Sequence, residues 1–298
     1  MTPATRRGLR TVVALAGTFS ALLWVWHQVD PSERAAALRA VDPKWLALAV
    51  LLVPVQTLLA AERWRQVSLA LALPMSRREA WSEFGLSTAV NQLLPGGIGG
   101  DVLRVWRQRE AGLVRATRSA VVDRWWGQTA LALLVALGVF FWPSAADRPA
   151  GLATGAAIAG SLVFGVWLVP ASLPGVGPLA ADLRASARQV STACTLLSVL
   201  LLVAILGGFA ACGWASGHPP GPWLWSAAPV ALLAASLPVS AGGWGLREGS
   251  LVVLLPLLGW SPADALALSI WFGFTFAMGA LPGLLLFLRP RTPGKDSP

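Results

Sequence analysis

Charged residues are scarce in this 298-residue chain, which contains 23 lysines and arginines and 14 aspartates and glutamates. They make up 12% of the sequence, about half of the roughly 25% found in an average soluble domain. Hydrophobic residues reach 55%, and the mean hydropathy is +0.63. This composition argues against a soluble globular protein and indicates an integral membrane protein.

Cysteine and histidine are nearly absent, with two of each in the chain. Cys194 and Cys212 lie in one apolar run, about 27 Å apart if that run is helical, which excludes a disulfide between them. His27 and His218 have no partner ligands at metal-binding spacing. We therefore predict no metal site and no cofactor, and without a catalytic motif the chain is not expected to be an enzyme.

The basic residues fall in short clusters between apolar runs, as the positive-inside rule predicts for cytoplasmic loops. The net charge of +9 is therefore attributed to membrane topology, and no nucleic-acid partner is expected. Residues 1–10 form a basic cytoplasmic tail, residues 11–288 one transmembrane domain, and residues 289–298 a second cytoplasmic tail. This interpretation places the protein in a bacterial inner membrane with both termini in the cytoplasm.

The apolar runs predict an all-α polytopic membrane protein with about six full spans. These spans lie at about 11–27, 45–61, 126–142, 151–170, 191–213 and 265–288. A short surface helix is expected at 31–44, closed by Asp42 and Pro43. Arg63 and Arg65 are assigned to a cytoplasmic loop after the second span.

Two stretches, 95–101 and 238–245, place a Gly-Gly-x-Gly pattern shortly after a proline within apolar segments. Backbone that is not regular helix is tolerated at membrane depth only where it is buried in protein or lines a wet cavity. We therefore predict two re-entrant helical hairpins, at about 81–103 and 223–259. They enter from opposite faces of the membrane, and such inverted pairs are common in secondary transporters.

The helix after each glycine motif points its free N–H groups and positive dipole end into the protein, where an anion such as phosphate is stabilised. Arg104 and Arg247 are expected in the first turns of these helices, where each adds a charged donor. For Asp101 and Glu248, helix capping and a direct role in the site are both open. The predicted substrate-binding residues are Asn91, Gly97, Gly99, Gly100, Asp101, Arg104, Asp123, Arg124, Gly243, Gly245, Arg247 and Glu248.

Some of these residues have alternative interpretations. Asp123 and Arg124 open a predicted span, where they form either a third charged pair of the site or a plain interfacial ion pair, and the plain ion pair is favoured. Asn91 offers its amide either to the broken backbone of the first hairpin or to a lipid headgroup, and the structural role is favoured. Neither glycine motif continues into the Gly-Lys-Ser/Thr of a P-loop, so nucleotide binding is not expected.

Four motifs follow one another along the chain: Glu62-Arg63-Trp64-Arg65, the run 91–104 (NQLLPGGIGGDVLR), Asp123-Arg124, and the run 237–248 (LPVSAGGWGLRE). In these residues the chain resembles the flippase-like, lysylphosphatidylglycerol synthase transmembrane region family. The resemblance covers nearly the whole chain and implies an inner-membrane protein that moves lipids between leaflets. Lipid-aminoacylating members carry a soluble catalytic domain after the membrane part. This chain stops ten residues past its last predicted span, so the translocator without the synthase is expected.

We therefore expect a flippase or transporter for a phospholipid or polyprenyl-linked lipid with an anionic headgroup. Its phosphate is expected to rest between the two half-helix N-termini, near Arg104 and Arg247. One alternative is a membrane-embedded lipid or glycosyl transferase that uses Asp101 or Asp123 as general base. Another is a non-transporting anchor whose partner is an enzyme of envelope or lipid synthesis.

Overall fold

A computed structural model of the chain describes residues 18–20, 22–93, 99–140, 142, 177–236 and 243–288. The regular structure of these residues is entirely helical, and they contain no strand. After helical residues 18–20 and 22–27, the α-helices are α1 (Pro31–Arg39), α2 (Pro43–Ala70), α3 (Arg77–Leu93), α4 (Gly99–Arg107), α5 (Leu113–Phe140), α6 (Gly177–Ala215), α7 (Pro222–Ala235), α8 (Leu246–Leu254) and α9 (Pro262–Ala280). Short 3₁₀-helices lie at Arg109–Ala111, Pro256–Leu258 and Leu281–Leu288.

Three helical segments of the described part are long and apolar enough to cross a membrane: Pro43–Ala70, Gly177–Ala215 and Pro262–Leu286. They contain the predicted spans at 45–61 and 191–213 and most of the one at 265–288. The predicted span at 151–170 and the first part of the one at 11–27 lie outside the described residues. A polytopic all-α architecture is therefore supported, and the count of six spans stays a prediction.

The boundary between α1 and α2 differs from the expected single helix at 31–44. Asp42 does not close α1, which ends at Arg39. It instead caps α2, where its Oδ1 accepts a hydrogen bond of 3.0 Å from the Lys44 N–H. Pro43 then occupies the first turn, where its fixed φ suits a helix start and its missing N–H costs nothing. A hydrogen bond from the Lys44 side chain holds the pKa of Asp42 below its usual value.

The first predicted hairpin is formed by α3 and α4, which pack against each other. Arg107 at the end of α4 donates a 2.6 Å hydrogen bond to Glu83 near the start of α3, so the two helices run antiparallel. A Cβ added to Gly100 would overlap the backbone carbonyl of Ser87, and this contact explains the glycine. The tip, residues 94–98, lies outside the described residues, and re-entry into the membrane stays a prediction.

The second predicted hairpin is formed by α7 and α8, which also pack against each other. Gly243 and Gly245 have φ angles of +80° and +88°, a left-handed backbone that glycine adopts without strain. A Cβ on Gly243 would lie 2.7 Å from the Cβ of Ala235, so the chain turns back tightly onto the end of α7. Residues 237–242 lie outside the described residues.

The core that supports these hairpins is built from α2, α6 and α9. Helix α2 packs most extensively against α6, and α9 packs against α2. Phe209 of α6 and Phe272 of α9 stack with ring centroids 3.7 Å apart. Val190, at φ −130°, kinks α6 and separates its polar first part from the long apolar part. Of the charged side chains described below, Arg63 lies on this core, and the others lie on α4, α5 and α8.

Candidate anion-binding site

A buried ion pair between α2 and α5 lies at the centre of the site. Arg63 of α2 donates from Nε to Asp123 Oδ1 of α5 at 2.9 Å, and both residues are nearly inaccessible to solvent. A second nitrogen of Arg63, NH1, donates to the Ser198 hydroxyl of α6 at 3.2 Å. These two bonds hold the guanidinium at the junction of three helices.

Arg104 of α4 approaches the same aspartate from the first hairpin. Its NH1 lies 3.5 Å from Asp123 Oδ2, and its NH2 lies 3.1 Å from Asp101 Oδ1. Its guanidinium carbon lies 4.5 Å from the centre of the Trp64 ring and 4.9 Å from that of Phe84, which are cation–π distances. The residue is only 2% exposed.

The hydrogen-bonding capacity of Arg104 is not filled by the protein. Nε and NH1 are buried, and among the described residues neither has a hydrogen-bond acceptor, although NH1 is in the ion pair with Asp123. Buried polar groups are usually hydrogen-bonded, since an unmade bond to a charged group is costly. Arg104 thus presents two donors that an anionic ligand can accept from.

Asp101 and Arg124 complete what we call the arginine–aspartate cluster, which comprises Arg63, Asp101, Arg104, Asp123 and Arg124. Asp101 lies in the first turn of α4, and its Oδ2 is 3.4 Å from Arg124 NH2 of α5. Because four of these side chains come from two helices, α4 and α5, and Arg63 comes from α2, the cluster ties the first hairpin to the helix core.

The structure corrects the sequence assignment of several members of this cluster. Arg63 and Arg65 lie inside α2 rather than in a loop. Asp123 and Arg124 lie eleven and twelve positions into α5 rather than at its start, because the helix begins at Leu113. They pair with Arg63, Arg104 and Asp101, so the interpretation as a plain interfacial ion pair is wrong.

Arg104 lies in the second turn of α4 and not in its first, because that helix begins at Gly99. Asn91 has the structural role that was favoured for it: its Oδ1 accepts a 2.7 Å hydrogen bond from the Gly100 N–H. This bond satisfies one of the N–H groups at the start of α4 that have no partner within the helix. Gly97 lies outside the described residues.

Arg247, Glu248 and Ser269 form a second buried cluster at the start of α8. Arg247 NH2 lies 2.6 Å from Glu248 Oε1, and Arg247 Nε donates to Ser269 Oγ at 3.0 Å. Glu248 also accepts from the Gly245 N–H at 2.5 Å, so it caps α8 and pairs with Arg247 at once. Each charge is balanced by one opposite charge. The capping interpretation of Glu248 is thus confirmed.

The two clusters are built on different helices, the first on α2, α4 and α5 and the second on α8 and α9. The pocket expected between Arg104 and Arg247 stays a prediction, since residues 94–98 and 237–242 are outside the described part.

Sequence analysis missed Arg63, Ser198 and Ser269 as site residues. A signal for Arg63 was present in α2. The residues at positions 53, 56, 60, 63 and 67 follow a spacing of three and four, and all five are buried. Such a stripe faces the protein core, so an arginine within it needs a buried acidic partner. No comparable pattern in the sequence singles out either serine.

No group of three or more histidines, cysteines, aspartates and glutamates that could hold a metal ion is present in the described part of the chain. Cys194 and Cys212 are both buried and unpaired with each other. The site chemistry on the described residues is therefore that of guanidinium donors and carboxylates.

A family model described as the lysylphosphatidylglycerol synthase TM region matches residues 11–283 of the chain. The match covers the arginine–aspartate cluster, both hairpins and the helices that carry them. No curated protein and no solved structure matches the chain significantly.

Proposed function

The chain belongs to the family of lysylphosphatidylglycerol synthase transmembrane regions, and from this premise we propose that it moves lipids with anionic headgroups between membrane leaflets. It is a multi-pass membrane protein related to lipid metabolism, as the family and the long apolar helices indicate. The family description names a lipid with a phosphodiester headgroup. In our proposal the arginine–aspartate cluster binds that phosphate.

The observation that carries the proposal is the state of Arg104. It is a buried arginine with two donor nitrogens that lack hydrogen-bond acceptors among the described residues. A hydrogen bond between a guanidinium and a phosphate oxygen is charge-assisted and therefore strong. Because Nε–H and the NH1 hydrogens point in different directions, a phosphate oxygen next to either nitrogen would satisfy one of these two donors.

The charge of the cluster supports the same ligand. Arg104 has no aspartate to itself, because Asp123 is shared with Arg63 and Asp101 is shared with Arg124. Trp64 and Phe84 lie at cation–π distance from the Arg104 guanidinium. A phosphate beside this buried guanidinium would be attracted more strongly than in bulk solvent.

The second cluster has a different role in this proposal. Arg247 is already neutralised by Glu248 at 2.6 Å and bonded to Ser269. It therefore holds the start of α8 in place against α9 and does not receive the headgroup. Asp101 and Asp123, the residues of the transferase alternative, are both held in ion pairs with arginines.

We further propose a bacterial inner-membrane location with the basic ends of α3 and α4 in the cytoplasm. Arg77, Arg107 and Arg109 lie at that end of the first hairpin. The positive-inside rule assigns such arginine-rich ends to the cytoplasmic side.

The test is transport of fluorescent phosphatidylglycerol across the bilayer of proteoliposomes that contain the full chain. We expect wild-type protein to move the lipid and Arg104→Gln to slow it at least about tenfold, since a hydrogen bond to a charged group contributes about 1.5–3 kcal/mol. Arg109→Gln is the matched control, because this arginine is exposed near the same end of the protein. Size-exclusion profiles establish that both variants fold.

Equal rates for Arg104→Gln and wild type would remove Arg104 from the mechanism. No transport by wild type in liposomes, combined with copurification of an enzyme of lipid synthesis, would favour the anchoring role instead. Transfer of a group from a donor to a lipid acceptor, lost in Asp123→Asn, would favour the transferase.

A further inference from the structure

A cavity of about 230 Å³ opens beside the arginine–aspartate cluster, between α5, α6 and α7. Its walls are mostly aliphatic and include Leu131 of α5, Leu202 and Ile205 of α6, and Leu232 of α7. Arg63 and Ser198 also line the cavity, so its surface contains the guanidinium that is bonded to Asp123. The cavity therefore has a charged end and an apolar end.

The arrangement of these walls follows from helix geometry. Ser198, Leu202 and Ile205 lie at spacings of four and three on α6, and thus on one face. That face extends about 10.5 Å from the polar end at Ser198 to the apolar end at Ile205. Leu202 and Ile205 are only partly buried, so the apolar part is accessible from outside the bundle.

Gly127 of α5 keeps the charged end of the cavity open. A Cβ at this position would lie 3.1 Å from both NH1 and NH2 of Arg63, closer than ordinary van der Waals contact. Any larger residue would press on a guanidinium that Asp123 and Ser198 already hold. The space beside Arg63 thus depends on the absence of a side chain.

We infer that this cavity binds one hydrocarbon chain of an anionic lipid, with the headgroup directed toward Arg63 and the arginine–aspartate cluster. An apolar cavity takes apolar ligands in preference to water, and Arg63, whose partner Asp123 is shared with Arg104, faces the headgroup phosphate at the other end. The inference rests on the proposed function and adds to it a position for the hydrocarbon chain of the lipid. It also makes Arg63, beside Arg104, a contact of the phosphate.

Photo-cross-linking tests this position directly on the full chain in proteoliposomes. The probe is phosphatidylglycerol with a diazirine in one acyl chain, and the comparison probe is diacylglycerol with the same acyl chain, which has no phosphate. We expect phosphatidylglycerol to label the aliphatic walls at Leu131, Leu202, Ile205 and Leu232, and diacylglycerol to label them much less. Labelling confined to outward residues such as Val203, or equal labelling by both lipids, overturns the inference.

A pair of tryptophan variants on α6 provides the matched comparison. Leu202→Trp places a large side chain in the cavity, whereas Val203→Trp, one residue further, changes a position that is 59% exposed. We expect Leu202→Trp to lose most of the cavity labelling and Val203→Trp to keep it. Unchanged labelling in Leu202→Trp contradicts the inference.

The two proposals fail in distinguishable ways. In one outcome, wild type transports lipid and Arg104→Gln does not, while Leu202→Trp leaves labelling and transport unchanged. Only the proposed position of the lipid's hydrocarbon chain is then wrong. If the cavity is labelled as expected but wild type moves no lipid, the chain-binding site stands and the transport function is wrong.

Discussion

Arg104 and Arg247 follow equivalent glycine motifs, yet their surroundings give them different chemistry. Arg247 lies 2.6 Å from the Glu248 carboxylate, which neutralises its charge, and it donates a 3.0 Å hydrogen bond to the Ser269 hydroxyl. Arg104 shares two carboxylates with two other arginines and keeps donors without acceptors among the described residues. The same residue type thus forms a closed ion pair in one hairpin, and in the other it keeps the donors to which we assign anion binding in our proposal.

Removal of one partner from the Arg247–Glu248 pair should be strongly destabilising. Glu248 is fully buried, so Arg247→Met leaves an uncompensated carboxylate, a change that typically costs about 3–5 kcal/mol. We expect a clearly lower Tm for Arg247→Met in detergent and a partial recovery in the double variant with Glu248→Gln. A double variant no more stable than the single one would contradict an ion pair as the source of the loss.

Gly127→Ala should impair transport without unfolding the protein. The added methyl group would lie 3.1 Å from two Arg63 nitrogens, so the guanidinium must shift by a few tenths of an ångström against Asp123 and Ser198. We expect slower transport, by about tenfold where the shift breaks one of these bonds. Gly207→Ala is the control, because its Cβ would meet only Leu52 at 3.4 Å and alanine favours the helix. Transport rates in proteoliposomes measure both, and an equal loss in the two variants would argue against a specific effect on Arg63.

The hairpin α3–α4 is the element that brings Arg104 to the other charges. Its geometry is fixed by the Arg107–Glu83 bond at one end and by the Asn91–Gly100 bond near the tip. The close approach at Gly100 sets the distance between the helices, because the Ser87 carbonyl is backbone and cannot move aside as a side chain does.

Gly100→Ala should therefore push α4 away from α3 and withdraw Arg104 from Asp123. We expect faster amide hydrogen exchange in residues 99–107 and a loss of phosphatidylglycerol transport. Gly249→Ala serves as control, since an added Cβ there would make only ordinary contacts with Trp24 and Val25 side chains. Unchanged exchange in Gly100→Ala would show that the two helices tolerate a wider spacing.

A helix was predictable from the sequence where its position depends on nearby residues, and was not where it depends on partners distant in sequence. Proline and glycine act locally, so the helices on either side of the two glycine motifs were located to within a few residues. The start of α5 at Leu113 was missed, because Arg115, Arg118 and Arg124 are typical of a loop between spans. They are accommodated in a helix because Asp182 binds Arg118 and Asp101 binds Arg124, and neither partner is close in sequence.

At the scale of the whole molecule, α5 connects the two sides of the protein. Its 28 residues extend about 42 Å. A Cβ on Gly138, near its end, would overlap the carbonyl of Trp225 at the start of α7. Glu110, before α5, and Pro220, before α7, therefore lie at opposite ends of the bundle.

Cysteine labelling tests whether the Glu110 end of the bundle faces the cytoplasm and the Pro220 end faces outward. In a background with Cys194 and Cys212 replaced by serine, we expect a membrane-impermeant maleimide to label Pro220→Cys in intact spheroplasts. Glu110→Cys, whose native side chain is 78% exposed, should react only after permeabilisation. The reverse pattern would invert the proposed topology, and labelling of both in intact cells would contradict opposite ends.

The sequence by itself determined the membrane class, the helical architecture and the pair of helices on either side of each glycine motif. Hydropathy, proline and glycine determine these features because they act on the chain locally. Only the tertiary structure decided which arginine is neutralised and which is left with unfilled donors. Arg63 meets Asp123 across 60 residues and Ser198 across 135. No local pattern encodes such pairings, since they arise when α2, α5 and α6 pack together and bury charge that must then be matched.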